Sequence, residues 1–381
     1  MRVLIVHNQL WAHYKSNLFT EIHRNLKVRC PEAEFQVVQI GLHESSRQQM
    51  QAEDQLYDYP YTVLFQKSLD EIRFFERLKA LFKAFKDFKP TVLNITGYYD
   101  WAQVLLMLFA KWKGVKVILS SESSNDDQYR NPIKEKLKSW IVTQAHAYFC
   151  FGKTSVDYLL NLGVKRHQIK VRNAAVVDDK RIREVYEHTE KTPSNVPGRF
   201  IFVGRFSPEK NLRLLLNAYQ NAIQHYQNPW ELLLVGDGPE RKEIEKIRDN
   251  SRLTSIKLTG GVSWLEVPKW LAQADVLILP SYSEPWGLVV NEALVCGLPV
   301  IVSEKCGCSA DLVEQGKNGY TFNPFDEMEL SKLLMYFMNS SREERSAMGA
   351  HGQKLVNRFA VEKVASAMVD TFAKLSGRNT T

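Results

Sequence analysis

The sequence has no apolar segment long enough to cross a lipid bilayer. Its longest apolar run, Val104–Ala110, is far shorter than the roughly 20 residues that a transmembrane helix needs. The N-terminal run Val3–Val6 is also too short for the apolar core of a signal peptide. These absences predict a protein that is made and kept in the cytoplasm.

Cysteine is scarce, and its spacing is unlike that of a disulfide framework. The 5 cysteines include no CxxC pair, and only Cys306 and Cys308 lie close together in the sequence. Two thiols one residue apart, with no second pair, form a poor zinc site. We therefore expect thiols that are buried or lie in loops.

Long runs of basic residues are absent as well. The chain has 50 Lys+Arg against 43 Asp+Glu, a net charge of +7, with no five consecutive basic residues. Nucleic acid is therefore not an expected partner. Anionic small molecules and an anionic membrane surface stay open as partners.

What the sequence does contain is an alternation of short apolar runs with amphipathic stretches of helix length. This alternation predicts an α/β fold with parallel sheets. It fades between Val177 and Gly198 and then restarts, so we predict two doubly wound, Rossmann-like domains in series. The predicted parts are an N-terminal domain (1–180), a linker (181–198), a C-terminal domain (199–355) and a helix that crosses back to the N-terminal domain (356–381). The predicted strands are Val3–His7, Phe35–Ile40, Thr62–Phe65, Thr91–Ile95, Val115–Leu119, Ala147–Phe151, Ile169–Arg172, Phe200–Val203, Glu231–Val235, Ser255–Leu258, Val276–Leu279 and Val300–Val302.

The segment after the predicted strand Phe200–Val203 has the features of an anion site. Ser207 is a suitable N-cap and Pro208 suits a first helical position, so a helix is predicted to begin there. Arg205 and Lys210 flank this start, where the helix dipole and backbone N–H groups favour negative charge. A diphosphate would fit; the alternative is a solvated turn with surface cations.

The next such segment, Val235–Arg241, half-resembles a GxGxxG fingerprint. Arg241 stands where the third glycine belongs, and the segment lies in mid-chain. A tight turn between strand and helix is the preferred interpretation, and no dinucleotide cofactor is predicted.

Two glutamates eight residues apart mark the most informative segment, Ala274–Val302. Glu284 lies in the loop after a predicted strand, Gly287 permits an unusual backbone turn, and Glu292 lies in the predicted helix that follows. Carboxylates accept hydrogen bonds from hydroxyl groups, so the pair suits a sugar or a ribose. Two surface glutamates are the alternative.

This segment resembles the E-x7-E motif of retaining nucleotide-sugar glycosyltransferases of the GT-B fold, family 4 type. The resemblance is dense over residues 200–325 and mainly architectural over 1–180. It implies two Rossmann-like domains that face a cleft, with the donor bound by the C-terminal domain and the acceptor by the N-terminal domain. Other family elements that stand in the same order are Gly204-Arg205, Lys210-Asn211, Gly236–Pro239, Leu258–Gly260, Ala274–Val276, Gly297–Ile301 and Gly316–Tyr320.

The resemblance implies roles for the donor-side residues. Arg205 and Lys210 would bind the diphosphate and stabilise it as the leaving group. Glu284 would contact the donor sugar, Glu292 the ribose hydroxyls, and the backbone near Gly261-Val262 the base. The remaining donor-binding candidates are Gly204, Trp286, Gly287 and Leu288.

No DxD triplet occurs in the chain, which argues against the metal-dependent glycosyltransferase architecture. Fixed cations would take the place of a divalent ion. We therefore expect no metal site and no cofactor.

The acceptor side departs from the family pattern. Many members have a Gly-Gly loop after the first strand, whereas this chain has Trp11, His13 and Tyr14. They could shape an acceptor pocket, or form a packed aromatic loop. Glu122, where many members have a histidine after a later strand, could orient or deprotonate an acceptor hydroxyl, or be a helix-capping or ion-paired residue. Tyr98 also follows a strand and is a further acceptor candidate.

One predicted helix, Leu69–Lys89, combines basic and aromatic residues. Such a helix can lie on an anionic bilayer, which would suit a lipid-linked acceptor. More often, its aromatic face packs on the sheet.

Together these features predict a retaining hexosyltransferase that moves a sugar from a nucleotide-diphosphate sugar to a hydroxyl of a glycan or lipid-linked acceptor. A UDP-sugar is the favoured donor and a GDP-sugar the second. Surface polysaccharide or lipopolysaccharide biosynthesis is the pathway that the resemblance suggests, in the cytoplasm or peripherally on the inner face of the membrane. The alternatives are a non-catalytic sugar-nucleotide-binding partner and a GT-B epimerase or phosphorylase.

Overall fold

The structure, a computed structural model, describes residues 1–10, 13–43, 57–122, 132–192, 195–224, 226–250 and 254–378, without the side chains of residues 13 and 132–134. The chain divides into two compact units. Unit 1 is Met1–Val177 with Phe359–Thr381, and unit 2 is Asp178–Arg358.

The described residues form strands and helices in alternation. The strands are β1 (Arg2–Gln9), β2 (Glu34–Gly41), β3 (Tyr61–Val63), β4 (Val92–Thr96), β5 (Lys116–Ser121), β6 (Ala147–Cys150), β7 (Ile169–Val171), β8 (Arg199–Val203), β9 (Glu231–Val235), β10 (Ile256–Gly260), β11 (Val276–Leu279), β12 (Val300–Ser303) and β13 (Gly319–Phe322). The helices are α1 (His13–Arg29), α2 (Phe74–Phe88), α3 (Trp101–Trp112), α4 (Pro132–Val142), α5 (Lys153–Asn161), α6 (Asp179–Glu187), α7 (Leu212–Ile223), α8 (Arg241–Asn250), α9 (Val267–Leu271), α10 (Leu288–Val295), α11 (Ser309–Leu312), α12 (Glu327–Asn339), α13 (Arg342–Val356) and α14 (Val361–Leu375).

Each unit is built around a parallel sheet. The strand order is β3-β2-β1-β4-β5-β6-β7 in unit 1 and β10-β9-β8-β11-β12-β13 in unit 2. Central strands are buried along their whole length, as in β4 and β11, because helices cover both faces of a doubly wound sheet. The predicted α/β fold class is therefore confirmed.

The predicted strands are all present, with ends that differ by at most two residues. The sequence did not predict β13, because a four-residue strand with two half-buried positions gives only a weak apolar signal. The predicted helix Leu69–Lys89 is interrupted, since Ile72 and Arg73 adopt extended backbone between a 3₁₀ turn and α2.

The segment predicted to be a linker, 181–198, contains most of a helix. Ile182, Val185 and Tyr186 have helical spacing in α6, but only Ile182 is buried and the helix has 9 residues, so its apolar pattern is short. The helix packs against α9 and α10 within unit 2.

Candidate functional site

The strand order of unit 2 reverses between β8 and β11. From β8 the chain moves outward to β9 and β10, and it then returns to build β11, β12 and β13 on the other side. The loops after β8 and β11 therefore diverge and leave a crevice at the carboxyl edge of the sheet. Ligands of open α/β sheets bind at this kind of reversal point.

The loop after β8 lies directly against the loop after β9. The Gly204 and Phe206 N–H groups donate to the Val235 and Asp237 carbonyls at 3.0 and 2.8 Å. A β-carbon on Gly236 would lie 1.9 Å from the Gly204 carbonyl oxygen, so only glycine fits. The absence of a side chain at Gly236 thus lets the two turns pack backbone against backbone.

The helix predicted to begin at Ser207 begins later. Pro208–Lys210 form a 3₁₀ turn, and α7 starts at Leu212. Asn211 separates them because it adopts a left-handed backbone with φ of 57°. Its side-chain amide donates to the Pro280 and Pro324 carbonyls at 3.3 and 2.8 Å, which joins this turn to the loops after β11 and β13.

The two loops that flank the crevice are bridged by an ion pair. The Lys210 ammonium from the β8 side contacts the Glu284 carboxylate from the β11 side. Their side chains retain only 18% and 15% exposure. The backbones of the two loops are also in contact, because the Tyr282 N–H donates to the Glu209 carbonyl at 3.0 Å.

Arg205 lies in the same loop after β8 as Lys210 and is exposed. Among the described residues, no carboxylate forms an ion pair with its guanidinium. Burial acts to raise the pKa of Glu209. A hydrogen bond from Ser207 and the charges of Lys210 and Arg205 outweigh burial and lower that pKa. The surroundings of this turn therefore stabilise a negative charge.

The loop after β11 is fixed from several directions. Gly287 has a φ of 97°, and a β-carbon there would lie 2.7 Å from Leu279 Cδ2, so this position requires glycine. The Gly307 N–H donates to the Glu284 carbonyl at 2.9 Å. Trp286, a donor-binding candidate, is buried, and its indole N–H donates to Asn291 Oδ1 at 2.8 Å. Leu288, another candidate, begins α10.

Glu292 lies one helical turn further along α10. Burial raises the pKa of its carboxyl to about 8, and no partner for this carboxyl is present among the described side chains. A carboxyl without a cation beside it is suited to hydrogen bonds with ligand hydroxyls. Gly261 and Val262 lie further away along the sheet edge, after β10 and close to Asp237.

The acceptor-side candidates lie in unit 1. Trp11 lies outside the described residues, as does the side chain of His13. Tyr14 lies in the first turn of α1, with its ring 6.5 Å from that of Phe151. Tyr98 is buried and stacks on Tyr99, so the exposed ring after β4 is Tyr99.

Glu122 is ion-paired in the structure, which is one of the alternatives that the sequence left open. Its carboxylate lies 3.0 Å from the ammonium of Lys15, whose side chain is only 4% exposed. The same ammonium lies 4.4 Å from the centre of the Phe151 ring. The sequence did not identify Lys15 as the partner of Glu122, because Lys15 belongs to no recognisable motif. Its position shortly after β1 is the one feature of the sequence that could have suggested it.

A buried polar network surrounds β1 in unit 1. His7 Nδ1 lies 2.9 Å from Gln39 Oε1, and the Gln39 amide donates to Tyr59 at 3.3 Å. Burial and the nearby Lys15 ammonium lower the pKa of His7 to about 4. His7 is therefore neutral at physiological pH.

Comparison with known proteins finds a family model that is similar to unit 2. Residues 186–355 match the family model described as Glycosyl transferases group 1. The match covers 170 of the 381 residues and lies within unit 2.

Two curated relatives align with part of the chain. An uncharacterized glycosyltransferase of Methanocaldococcus jannaschii is 28% identical over 176 residues, which cover 46% of this chain and 48% of that protein. The alpha-monoglucosyldiacylglycerol synthase of Acholeplasma laidlawii is 34% identical over 129 residues, covering 34% of this chain and 32% of that protein. The chain thus spans half or less of the length of these relatives.

Solved structures match the fold over nearly the whole chain. A Rickettsia africae glycosyltransferase superposes with a TM-score of 0.75 at 15% identity and covers 98% of both chains. The Anabaena protein HepE, solved with UDP, has a TM-score of 0.69 at 17% identity and covers 98% of this chain and 100% of that one. The fold is GT-B, with two Rossmann-like domains.

Proposed function

We propose that the protein is a retaining glycosyltransferase that transfers a sugar from a nucleotide-diphosphate sugar to a hydroxyl group. The observation that carries this proposal is the Lys210–Glu284 pair across the crevice of unit 2, with the exposed Arg205 in the same loop as Lys210. The pair lies at the strand-order reversal, within the residues that match the group 1 model.

The residues suit the chemistry of a diphosphate leaving group. Departure of the glycosyl group builds negative charge on the β-phosphate, which fixed cations stabilise more in the transition state than in the ground state. Lys210 can exchange its contact with Glu284 for a phosphate oxygen, which frees the Glu284 carboxylate for a sugar hydroxyl. Glu292 is proposed to bind the ribose, and Gly261-Val262 to face the base.

The finer assignments follow from the resemblance and the relatives. A UDP-sugar is the first candidate donor, supported by the UDP bound to Anabaena HepE, and a GDP-sugar is the second. A lipid-linked or glycan hydroxyl is the proposed acceptor, in agreement with the diacylglycerol in the name of the Acholeplasma enzyme. We further propose that Glu122 orients the acceptor and that no metal ion is required, in surface polysaccharide or lipopolysaccharide assembly at the inner membrane face or in the cytoplasm.

A thermal-shift panel tests the donor site. UDP, GDP, ADP, their sugars and NAD are each added with EDTA and, separately, with Mg²⁺. A ligand that binds the folded state raises the melting temperature by mass action. We expect a shift with one nucleoside diphosphate, equal in EDTA and Mg²⁺, and weakened at least tenfold in apparent affinity by Arg205→Ala or Lys210→Ala.

Lys332→Ala is the matched control, because Lys332 is an exposed cation on α12 of the same unit. It should leave the shift unchanged. A folded protein that responds to no diphosphate would point to another role, and a response to NAD alone would exclude the transferase. Release of the nucleoside diphosphate from its sugar then distinguishes an enzyme from a non-catalytic binding partner.

A further inference from the structure

Three helices of unit 1 lie side by side and share an outer surface. Phe109 of α3 contacts Phe82 and Phe85 of α2, with ring centres 5.1 and 5.7 Å apart. On the other side of α3, Lys111 Nζ lies 3.0 Å from Gln144 Oε1, just beyond α4. We call the outward side of α2, α3 and α4 the outer helical face.

Exposed apolar side chains are concentrated on this face. The structure describes twelve exposed large hydrophobic side chains, and eight of them lie on these helices or immediately before α3. Such a concentration differs from the single exposed apolar residues that are normal on a protein surface. The eight are Phe74, Phe75, Tyr99, Trp101, Leu105, Trp112, Leu137 and Trp140.

The central helix presents a continuous apolar stripe. Trp101, Leu105 and Trp112 are 50%, 40% and 74% exposed, and their spacing of four and seven residues places them on one side of α3. The aromatic residues of α2 that could have formed such a stripe, Phe82 and Phe85, instead pack inward on Phe109. Helix α3 thus supplies the central stripe of this apolar surface.

Exposed cations lie on α2, and a further lysine follows α3. The exposed residues Lys79, Lys83 and Lys86 follow the exposed Phe75 at intervals of four, four and three, so they line one side of α2. The Lys113 ammonium lies 4.3 Å from the centre of the Trp112 ring. From Trp101 to Trp112 the sequence contains no acidic residue.

We propose that the outer helical face binds the surface of an anionic lipid bilayer. Tryptophan favours the interfacial zone of a membrane, where its ring contacts apolar groups while its N–H group is hydrated, and exposed phenylalanine adds apolar area. Lysine ammonium groups beside them reach the phosphate oxygens of anionic lipids. The charge of the lysines selects an anionic membrane over a neutral one. This inference does not depend on the donor site of unit 2.

Vesicle flotation tests the proposal with the full chain. Vesicles of phosphatidylglycerol and phosphatidylethanolamine are compared with vesicles of phosphatidylcholine. We expect binding to the anionic vesicles only, reduced at least tenfold in Lys79→Glu/Lys83→Glu/Lys86→Glu and in Trp101→Ser/Trp112→Ser. These positions are exposed, so both variants should fold, and both should keep the diphosphate thermal shift of the parent protein.

The matched control is Lys242→Glu/Lys246→Glu/Lys332→Glu, which makes the same change in net charge on exposed residues of unit 2. It should bind vesicles within twofold of the parent. If the control lost as much vesicle binding as the lysine variant, the effect would be due to net charge and the proposal would be wrong. A folded parent protein that does not bind anionic vesicles would also overturn the proposal. A concentration-dependent dimer abolished by the tryptophan variant, without vesicle binding, would assign the face to a second copy instead.

Discussion

At the scale of single residues, the donor-side candidates differ in how their charges are balanced. Glu284 is neutralised by Lys210, whereas Glu292 has no cationic partner among the described residues. The two glutamates of the E-x7-E segment are thus chemically unlike. Glu284 is a paired carboxylate that a ligand must uncouple, and Glu292 is a carboxyl whose proton is held by its buried surroundings.

The raised pKa of Glu292 predicts a specific pH dependence of stability. Its pKa is about 8 in the folded protein against an ordinary 4.5, so the folded state holds a proton between these values that the unfolded state releases. This stabilisation is complete below pH 4.5 and is lost as the pH rises toward 8. Relative to Glu292→Gln, which cannot ionise, the parent should lose on the order of 3 kcal/mol of unfolding free energy between pH 5 and pH 8.

Urea unfolding at pH 5, 6, 7 and 8 measures this difference. Other titrating groups, such as His7, change both proteins equally and cancel in the comparison. Glu266→Gln, at an exposed glutamate of the same unit, should remain parallel to the parent across this range. Parallel curves for the parent and Glu292→Gln would contradict the prediction.

At the scale of elements, the site depends on loops that meet through backbone atoms. Gly236 touches the Gly204 carbonyl, and a β-carbon there would meet backbone on a second loop rather than a movable side chain. Gly236→Ala should therefore cost about 4 kcal/mol or more of unfolding free energy, and it should abolish the diphosphate thermal shift. Gly316→Ala is the control in the same unit: its φ is +71°, but only Tyr320 Oη lies near, at 3.7 Å.

Denaturant unfolding of both glycine variants decides the point. Gly316→Ala should lose only the conformational cost of a left-handed alanine, about 1 kcal/mol. The difference between the two variants isolates the steric contact from backbone strain. Equal losses would mean that the two loops are free to separate.

The elements were more predictable from sequence than the contacts between them. Buried strands are visible in the sequence as apolar runs, so β9 and β11 were predicted with their observed ends. The late start of α7 was not predictable, because it depends on the Asn211 amide reaching carbonyls in two distant loops.

The sequence marks candidate site residues but does not show their arrangement. A motif can mark Lys210 and Glu284 separately, yet no local signal shows that their charges meet. The same holds for Lys15 and Glu122, whose pairing is created by the sheet that brings α1 next to the end of β5.

At the scale of the whole molecule, unit 1 is built from two distant parts of the chain. Helix α14 follows unit 2 in sequence but packs against α1 and β7. Arg29 of α1 pairs with Asp370 and donates to Ser366 Oγ at 3.0 Å, both on α14. The last helix is therefore part of the core of unit 1, and a substitution that weakens its packing should destabilise unit 1.

Phe372→Ala tests this dependence. Phe372 is fully buried, and its ring lies 5.9 Å from that of Phe149 on β6. Removal of a buried aromatic ring costs about 3–5 kcal/mol, because apolar contacts are lost and a cavity remains. Hydrogen exchange should therefore accelerate in amides of β5 and β6, while amides of β8 and β9 in unit 2 keep the rates of the parent protein. The comparison variant is Phe337→Ala, which removes an equally buried ring on α12 and should accelerate exchange in unit 2 but not in unit 1.

A cavity weakens first the core in which it opens. If Phe372→Ala accelerated hydrogen exchange only in unit 2, the C-terminal helix would not support unit 1.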